Sequence, residues 1–148
     1  MKTRSLLLSL ALASPALVRS EGLPVTELKR DTPVNFATEV YPFLKANCLA
    51  CHNQSKPKAD LILESPQDMI KGGESGPAIV PGKGADSFLF TTAAHLEEPT
   101  MPPANNKSKA ENLSPEQLAL LKLWIDQGAK GDAVSTAAPE SWTLLTGP

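Results

Sequence analysis

The first strongly patterned stretch of the chain has apolar residues at helical spacing. Phe36, Val40 and Leu44 recur at intervals of four, and this spacing places them on one face of a helix. Pro42 interrupts the pattern, because proline lacks an amide donor and crowds the preceding turn. The stretch therefore predicts either two short helical turns or a helix that begins near Tyr41.

The clearest helix prediction covers residues 114–127. Ser114 supplies an N-cap, Pro115 occupies the first helical position, and Gln117 can complete a capping box with Ser114. Gly128 supplies the stop. The residues that share the apolar face are Leu118, Leu121, Trp124 and Ile125. We expect a helix of about four turns whose apolar face packs on the rest of the domain.

Shorter elements are predicted between these two helices. Ser65 and Pro66 form a helix start, as an N-cap followed by proline at the first helical position, and Gly72 ends that helix within two turns. Residues 86–95 predict another short helix, and residues 59–63 a short extended segment. The remaining stretches are rich in glycine and proline. The predicted fold class is all-α, with short helices and long loops.

The two ends of the chain differ from this middle. Residues 1–20 carry Lys2 and Arg4, then thirteen uncharged residues and a small-residue cleavage site, which is typical of a secretory signal peptide. The apolar run is shorter than the roughly twenty residues of a membrane-spanning helix, so no stable membrane span is predicted. Residues 21–33 are predicted as a linker or extended arm with weak order, and residues 133–148 as a flexible tail or the start of a further linker.

Length and composition favour one small domain, over residues 34–132. Fourteen prolines and 5% aromatic residues describe a loop-rich domain with a modest core, which a bound cofactor would help to stabilise. The net charge of −2 becomes −5 when the three basic residues of the signal peptide are removed. Because nucleic-acid binding requires a basic surface, this acidic balance disfavours that class of partner.

The only two cysteines, Cys48 and Cys51, stand before His52 in the pattern C-x-x-C-H. Two thiols at this spacing can each form a thioether to a porphyrin vinyl group, while the histidine offers its imidazole to the iron. The export signal directs the chain outside the cytoplasm, where such attachment takes place. The sequence therefore predicts one covalently bound haem c, attached through both cysteines.

The second axial ligand is predicted to be Met101. A thioether is a soft donor suited to haem iron, and Pro102 and Pro103 stiffen the backbone just after it. The alternative for Met101 is a methionine that fills a gap in a small core. Met69 and His95 are the other candidate ligands; Met69 lies on a predicted helix and is expected in the core, and His95 could be a solvated histidine at a helix end.

Two haem-free alternatives use the same motif. A structural zinc site needs four ligands, and the chain offers Cys48, Cys51, His52 and His95, of which two are adjacent and awkward to converge on one ion. A thioredoxin-like dithiol would follow a strand and open a helix in a βαβ unit. The pattern around the motif shows no such alternation, so both alternatives are less favoured than haem.

The chain resembles the small cytochrome c domains found in secreted proteins of planctomycetes and their relatives. The resemblance covers about residues 34–132, and the stretches that carry it are 40–44, 47–52, 72–82, 101–103 and 118–129. It implies a class I cytochrome c fold, in which the first and last helices cross beside the haem. It also implies His52 as proximal ligand and Met101 as distal ligand, with a backbone carbonyl of residues 76–81 accepting the His52 Nδ1 proton.

The expected function is a periplasmic or secreted one-electron carrier. Because protein ligands would fill both axial positions, the iron would not readily bind substrate, so a carrier is favoured over an enzyme. The expected partner is a redox protein or a fused domain. A haem sensor or peroxidase-like domain with a labile distal ligand is the first alternative, and a haem-free zinc or interaction module is the second.

Overall fold

The computed structural model describes residues 22–132. The predicted signal peptide, residues 1–20, and the predicted tail, residues 133–148, lie outside the described residues. None of the helices in the described part of the chain is long and apolar enough to cross a membrane.

The described chain is mostly helical, with short elements and long loops. In chain order the elements are a π-helical turn Phe36–Val40, helix α1 Tyr41–Asn47, strands β1 His52–Asn53 and β2 Lys56–Pro57, a 3₁₀ turn Lys58–Asp60, and helices α2 Pro66–Lys71, α3 Phe88–Ala93 and α4 Pro115–Asp126. The helices predicted around α2, α3 and α4 are confirmed.

The all-α prediction omits one small β-hairpin. Strands β1 and β2 pair antiparallel, with His52 opposite Pro57. The chain then turns through Ala59 and Asp60, whose φ angles are 56° and 55°, where the sequence predicts an extended segment over 59–63. The pattern of a two-residue strand is too short to be recognised by alternation, which needs about four residues or more.

The first helix begins at Tyr41, one of the two starts that the sequence predicts. The preceding residues form the π-helical turn, which Asn35 caps by accepting a hydrogen bond from the Thr38 amide at 3.0 Å. Pro42 lies in the first turn of α1, where a helix has no partner for the amide that proline lacks. The interruption at Pro42 therefore marks a helix start.

Helix α4 forms the centre of the core. The predicted capping box is present: Ser114 Oγ accepts from the Gln117 amide at 3.2 Å, and Gln117 Oε1 accepts from the Ser114 amide at 2.9 Å. Leu118, Leu121, Trp124 and Ile125 are buried, as predicted. The Trp124 ring stacks on Phe36 with 5.1 Å between ring centroids, so the last helix packs on the turn that leads into the first.

Residues 22–33 lie against the domain as an extended arm. The arm has no helix or strand, and the sequence predicts weak order for it. Its hydrogen bonds run from the Leu23 amide to the Ala94 carbonyl at 2.7 Å, from the Thr26 amide to the Pro115 carbonyl at 3.2 Å, and from Arg30 to both carboxylate oxygens of Glu39 at 2.8 Å. These contacts attach the arm to α3, α4 and the first turn.

A tight turn after α2 depends on glycine. Gly72 has a φ of +75°, and a Cβ at this position would collide with the backbone of Gly76. Gly73 and Gly76 exchange backbone hydrogen bonds of 3.1 and 2.9 Å across the turn. Gly76 also has a positive φ, of +93°, but a Cβ there would meet nothing within 4 Å.

Replacing Gly72 with alanine should destabilise the protein more than replacing Gly76 with alanine. Both variants force alanine to a positive φ, which costs on the order of 1–3 kcal/mol. Only Gly72→Ala also drives a methyl group into backbone atoms, so we expect its free energy of unfolding to be lower by about 2 kcal/mol than that of Gly76→Ala. Urea denaturation measures both values, and equal losses would contradict the crowding at Gly72.

Candidate functional site

The C-x-x-C-H segment lines an apolar cleft. The cleft encloses about 960 Å³ of space between protein atoms, part of it open to solvent. Leucine, alanine, proline and phenylalanine side chains make up most of its wall. Among the described residues that line it, only Glu74 carries a carboxylate, and none carries an ammonium or guanidinium group.

A tight turn brings the three residues of the motif to this cleft. Helix α1 ends at Asn47, and the carbonyl of Cys48 accepts from the amides of both Cys51 and His52, each at 3.1 Å. The His52 carbonyl then accepts from the Leu63 amide at 3.0 Å, which holds β1 against the following segment. Cys48, Cys51 and His52 all line the cleft as a result.

Met101 reaches the same cleft from the loop between α3 and α4. Its amide donates to the carbonyl of Thr92 in α3 at 3.0 Å. Met101, Pro102 and Pro103 all line the cleft. The structure therefore brings the four predicted site residues, Cys48, Cys51, His52 and Met101, to one cavity, although Met101 is about fifty residues from the motif in sequence.

The two alternative ligands lie outside this cleft. Met69, on α2, is fully buried in the core, as the sequence predicts for a methionine that fills a gap between helices. His95 follows α3 with a φ of 57°, and its Nε2 is buried without a hydrogen-bond partner among the described residues. Neither side chain lines the cleft.

The surroundings of His52 favour a neutral imidazole. Burial lowers the pKa of His52, and the backbone carbonyls of Leu61 and Lys58 partly oppose this shift. The Nδ1 atom is buried, and no described residue bonds to it. The bond expected from His52 Nδ1 to a carbonyl of residues 76–81 is therefore not present. A neutral imidazole is the form that coordinates a metal.

Both cysteines are free thiols. Burial, with a smaller contribution from the neighbouring Cys51, raises the pKa of Cys48 to about 12. Cys48 is therefore protonated at neutral pH, whereas a dithiol redox motif relies on a cysteine whose pKa is lowered. This environment disfavours the thioredoxin-like alternative.

The described residues also provide little support for a zinc site. Within residues 22–132, no group of three or more His, Cys, Asp or Glu side chains is placed to hold a metal ion. His95, which the four-ligand alternative requires, does not line the cleft with Cys48, Cys51 and His52. Tetrahedral zinc needs four convergent ligands, so these positions do not form such a site.

Several polar residues of the cleft were not identified from the sequence as site residues, among them Asn47, Thr92 and Asn106. Asn47 immediately precedes the first cysteine, and Asn106 lies in the proline-bearing loop of Met101. Closeness in sequence to these two motifs is the feature that could have indicated both residues as part of the site. Thr92 gave no signal, because its contribution is a backbone carbonyl. Polar residues in loops are common, and only the folded chain shows which of them contact the site.

Comparison with known proteins supports the resemblance seen in the sequence. Residues 48–105 match the family described as Planctomycete cytochrome C. The matched segment begins at the first cysteine and extends past the Met-Pro-Pro segment, so it includes all four predicted site residues.

Other comparisons are more distant. No curated protein matches the chain. A solved structure of Kuenenia stuttgartiensis hydrazine synthase is similar at 20% sequence identity with a TM-score of 0.42. The similarity covers 68% of this chain and 16% of that chain, so the present chain spans only a small part of that protein's length.

In the haem-free protein, Cys48 should react slowly with iodoacetamide at mildly alkaline pH while the fold is intact. A pKa of about 12, against an ordinary value of about 8.5, leaves a thiolate fraction at least about a hundredfold smaller. The Cys51→Ser variant isolates this reaction for mass spectrometry, with the same variant in urea as the unfolded reference. Equal rates in buffer and in urea would contradict a raised pKa of the Cys48 thiol in the folded protein.

Proposed function

We propose that the chain is a c-type cytochrome that carries one electron on a covalently attached haem c. The observation that carries this proposal is the convergence of Cys48, Cys51, His52 and Met101 on one apolar cleft. The cytochrome c-type domain over residues 48–105 supports it. The positions of Met69 and His95 outside the cleft favour Met101 as the distal ligand.

The cleft residues fit this cofactor chemically. The apolar wall suits a porphyrin face, and His52 presents a half-buried imidazole that its surroundings keep neutral. Cys48 and Cys51 would hold the porphyrin edge through thioethers, and His52 and Met101 would occupy the two axial positions. When bound, haem supplies the Fe(III)/Fe(II) couple that accepts and releases one electron.

The protein's own contribution is to restrict access and to set the environment. Leu61, Leu63, Leu89 and Leu113 line the cleft and exclude water from it, which is one of the means by which a protein adjusts a haem reduction potential. Protein ligands on both faces would leave no position for substrate. A carrier function therefore fits the cleft better than catalysis.

A carrier requires partners, and these are part of the proposal. We infer a redox partner protein, or a fused domain, that approaches the open side of the cleft. The composition of residues 1–20 supports export, and we infer a periplasmic or secreted location, since haem c attachment takes place outside the cytoplasm.

The decisive test of haem attachment compares the native chain with its cysteine variants. Expression in a host with haem-attachment machinery should give protein whose haem survives a denaturing gel, detected by peroxidase staining. Cys51→Ala should leave little stable holoprotein, because one thioether and its positioning of the porphyrin are lost. Ser55→Ala, an exposed residue outside the cleft, is the matched control and should keep full staining. Abundant covalent haem in Cys51→Ala would refute attachment through both cysteines.

The distal ligand is tested by replacing Met101. Met101→His should keep the iron six-coordinate but lower the reduction potential, on the order of 100 mV within the roughly 0.8 V range that axial ligands set, because histidine favours the ferric state more than methionine does. Met69→Leu, a core replacement of similar volume, is the control and should leave the potential unchanged.

Redox titration measures both Met101→His and Met69→Leu. An unchanged potential in Met101→His would show that Met101 is not a ligand. A ferric spectrum that is the same in Met101→Ala as in the native chain would instead favour a haem sensor or peroxidase-like domain.

A further inference from the structure

The loop that carries Met101 has little regular support. Residues 94–114 contain no helix or strand. Over residues 97–113, the described backbone donates only two hydrogen bonds to other backbone groups: Met101 to Thr92 at 3.0 Å, and Asn106 to Pro103 at 3.1 Å. A loop of this length without a hydrogen-bond ladder would ordinarily be among the less stable parts of a domain.

The side chain of Asn106 supplies hydrogen bonds where the loop has few between backbone groups. The Nδ2 group of Asn106 donates to the carbonyls of Pro103 and Ala110, each at 2.9 Å. Its Oδ1 accepts from the Ala110 amide at 2.8 Å and from Ser108 Oγ at 2.9 Å. Both donors and the acceptor of the amide group are therefore used, and they close the loop from residue 103 to residue 110.

This closed loop is part of the cleft. Asn106, Pro103, Ser108 and Ala110 all line it, and Pro103 is only two residues beyond Met101. Movement of the Pro103 carbonyl would therefore be transmitted to Met101 through one intervening residue.

The far end of the loop is tied to the cysteine motif. The Glu111 amide donates to Asn47 Oδ1 at 3.0 Å, and Asn47 Nδ2 donates to the Phe43 carbonyl at 3.2 Å. Because Asn47 immediately precedes Cys48, this bond connects the Met101 side of the cleft to the segment that carries the thiols. Three residues therefore hold the loop. Thr92 accepts the Met101 amide, Asn106 closes residues 103–110, and Asn47 accepts the Glu111 amide.

We propose that Asn106 is a positioning residue for Met101, and that its two donated hydrogen bonds determine how strongly Met101 resists displacement by an external ligand. The inference rests on the proposed function, with Met101 as distal ligand. Met101 is attached to the chain by this loop, and it competes with a free ligand such as imidazole according to its effective concentration at the iron. That effective concentration falls when the loop becomes more mobile. The Asn106 amide group restricts the tether through its bonds to Pro103 and Ala110.

The test replaces the donors while keeping the shape of the side chain. Asn106→Asp turns the Nδ2 group into an oxygen that faces the carbonyls of Pro103 and Ala110, so both bonds are lost. Asn105→Asp is the matched control: it makes the same charge change at the adjacent position, where the side chain is exposed and lies outside the cleft. The holoproteins are titrated with imidazole in the ferric state and followed by loss of the red absorbance band of a methionine ligand.

We expect Asn106→Asp to bind imidazole about tenfold more tightly than the native chain or Asn105→Asp, because the variant loses both hydrogen bonds that hold the native tether and tenfold corresponds to about 1.4 kcal/mol. Ser114→Ala removes the α4 cap, beyond the segment 103–110 that Asn106 closes, so it destabilises the domain at α4 and should leave the imidazole affinity unchanged. Hydrogen exchange at the Met101 amide, which donates to the Thr92 carbonyl, should quicken in Asn106→Asp alone, because the loop that carries Met101 loosens.

Three outcomes would overturn the inference. Equal imidazole affinities in Asn106→Asp and Asn105→Asp would show that the amide does not hold Met101. A comparable increase in Ser114→Ala would assign the effect to general destabilisation. Covalent haem without a methionine band in the native chain would remove the ligand that Asn106 is proposed to position, whereas absence of covalent haem would refute the proposed function itself.

Discussion

The hydrogen bonds accepted by the Cys48 carbonyl are the constraint on which the site depends. Both the Cys51 and His52 amides donate to this oxygen, and the resulting turn directs two thiols and an imidazole to one cleft. An extended C-x-x-C-H segment would spread these groups along the chain, because successive side chains of a strand alternate between faces. The turn follows α1 directly, so the packing of α1 also positions the motif.

The two sides of the cleft are built in different ways. The motif side is local: the end of α1, a turn and a two-residue strand follow one another in sequence. The Met101 side is a long loop. The Asn106 side chain holds this loop by hydrogen bonds within it, and Asn47 holds it to the motif side by accepting the Glu111 amide. Local structure gives one rigid wall, and the second wall depends on a few polar contacts that can be altered singly. Single substitutions in the loop can therefore alter the Met101 side while the motif side keeps its local structure.

The environment of the motif residues also determines their protonation states. Burial raises the pKa of Cys48 and lowers the pKa of His52, and both shifts favour uncharged groups. An apolar cleft with a single carboxylate in its wall therefore contains a protonated thiol and a neutral imidazole at neutral pH. Neutral groups are less costly to bury than charged ones, so the same packing that forms the core also keeps these two site residues uncharged.

The sequence by itself determined the local features. Capping residues and apolar periodicity predicted α4 and α2, and the spacing of Cys48, Cys51 and His52 predicted the motif's chemistry, because these signals depend on residues within one or two turns of each other. Tertiary structure decided the rest. It placed Met101 in the cleft, left Met69 and His95 outside, and bonded the Glu111 amide to Asn47 beside the first cysteine. Those outcomes depend on contacts between chain segments far apart in sequence, and neither periodicity nor spacing records which distant segments meet.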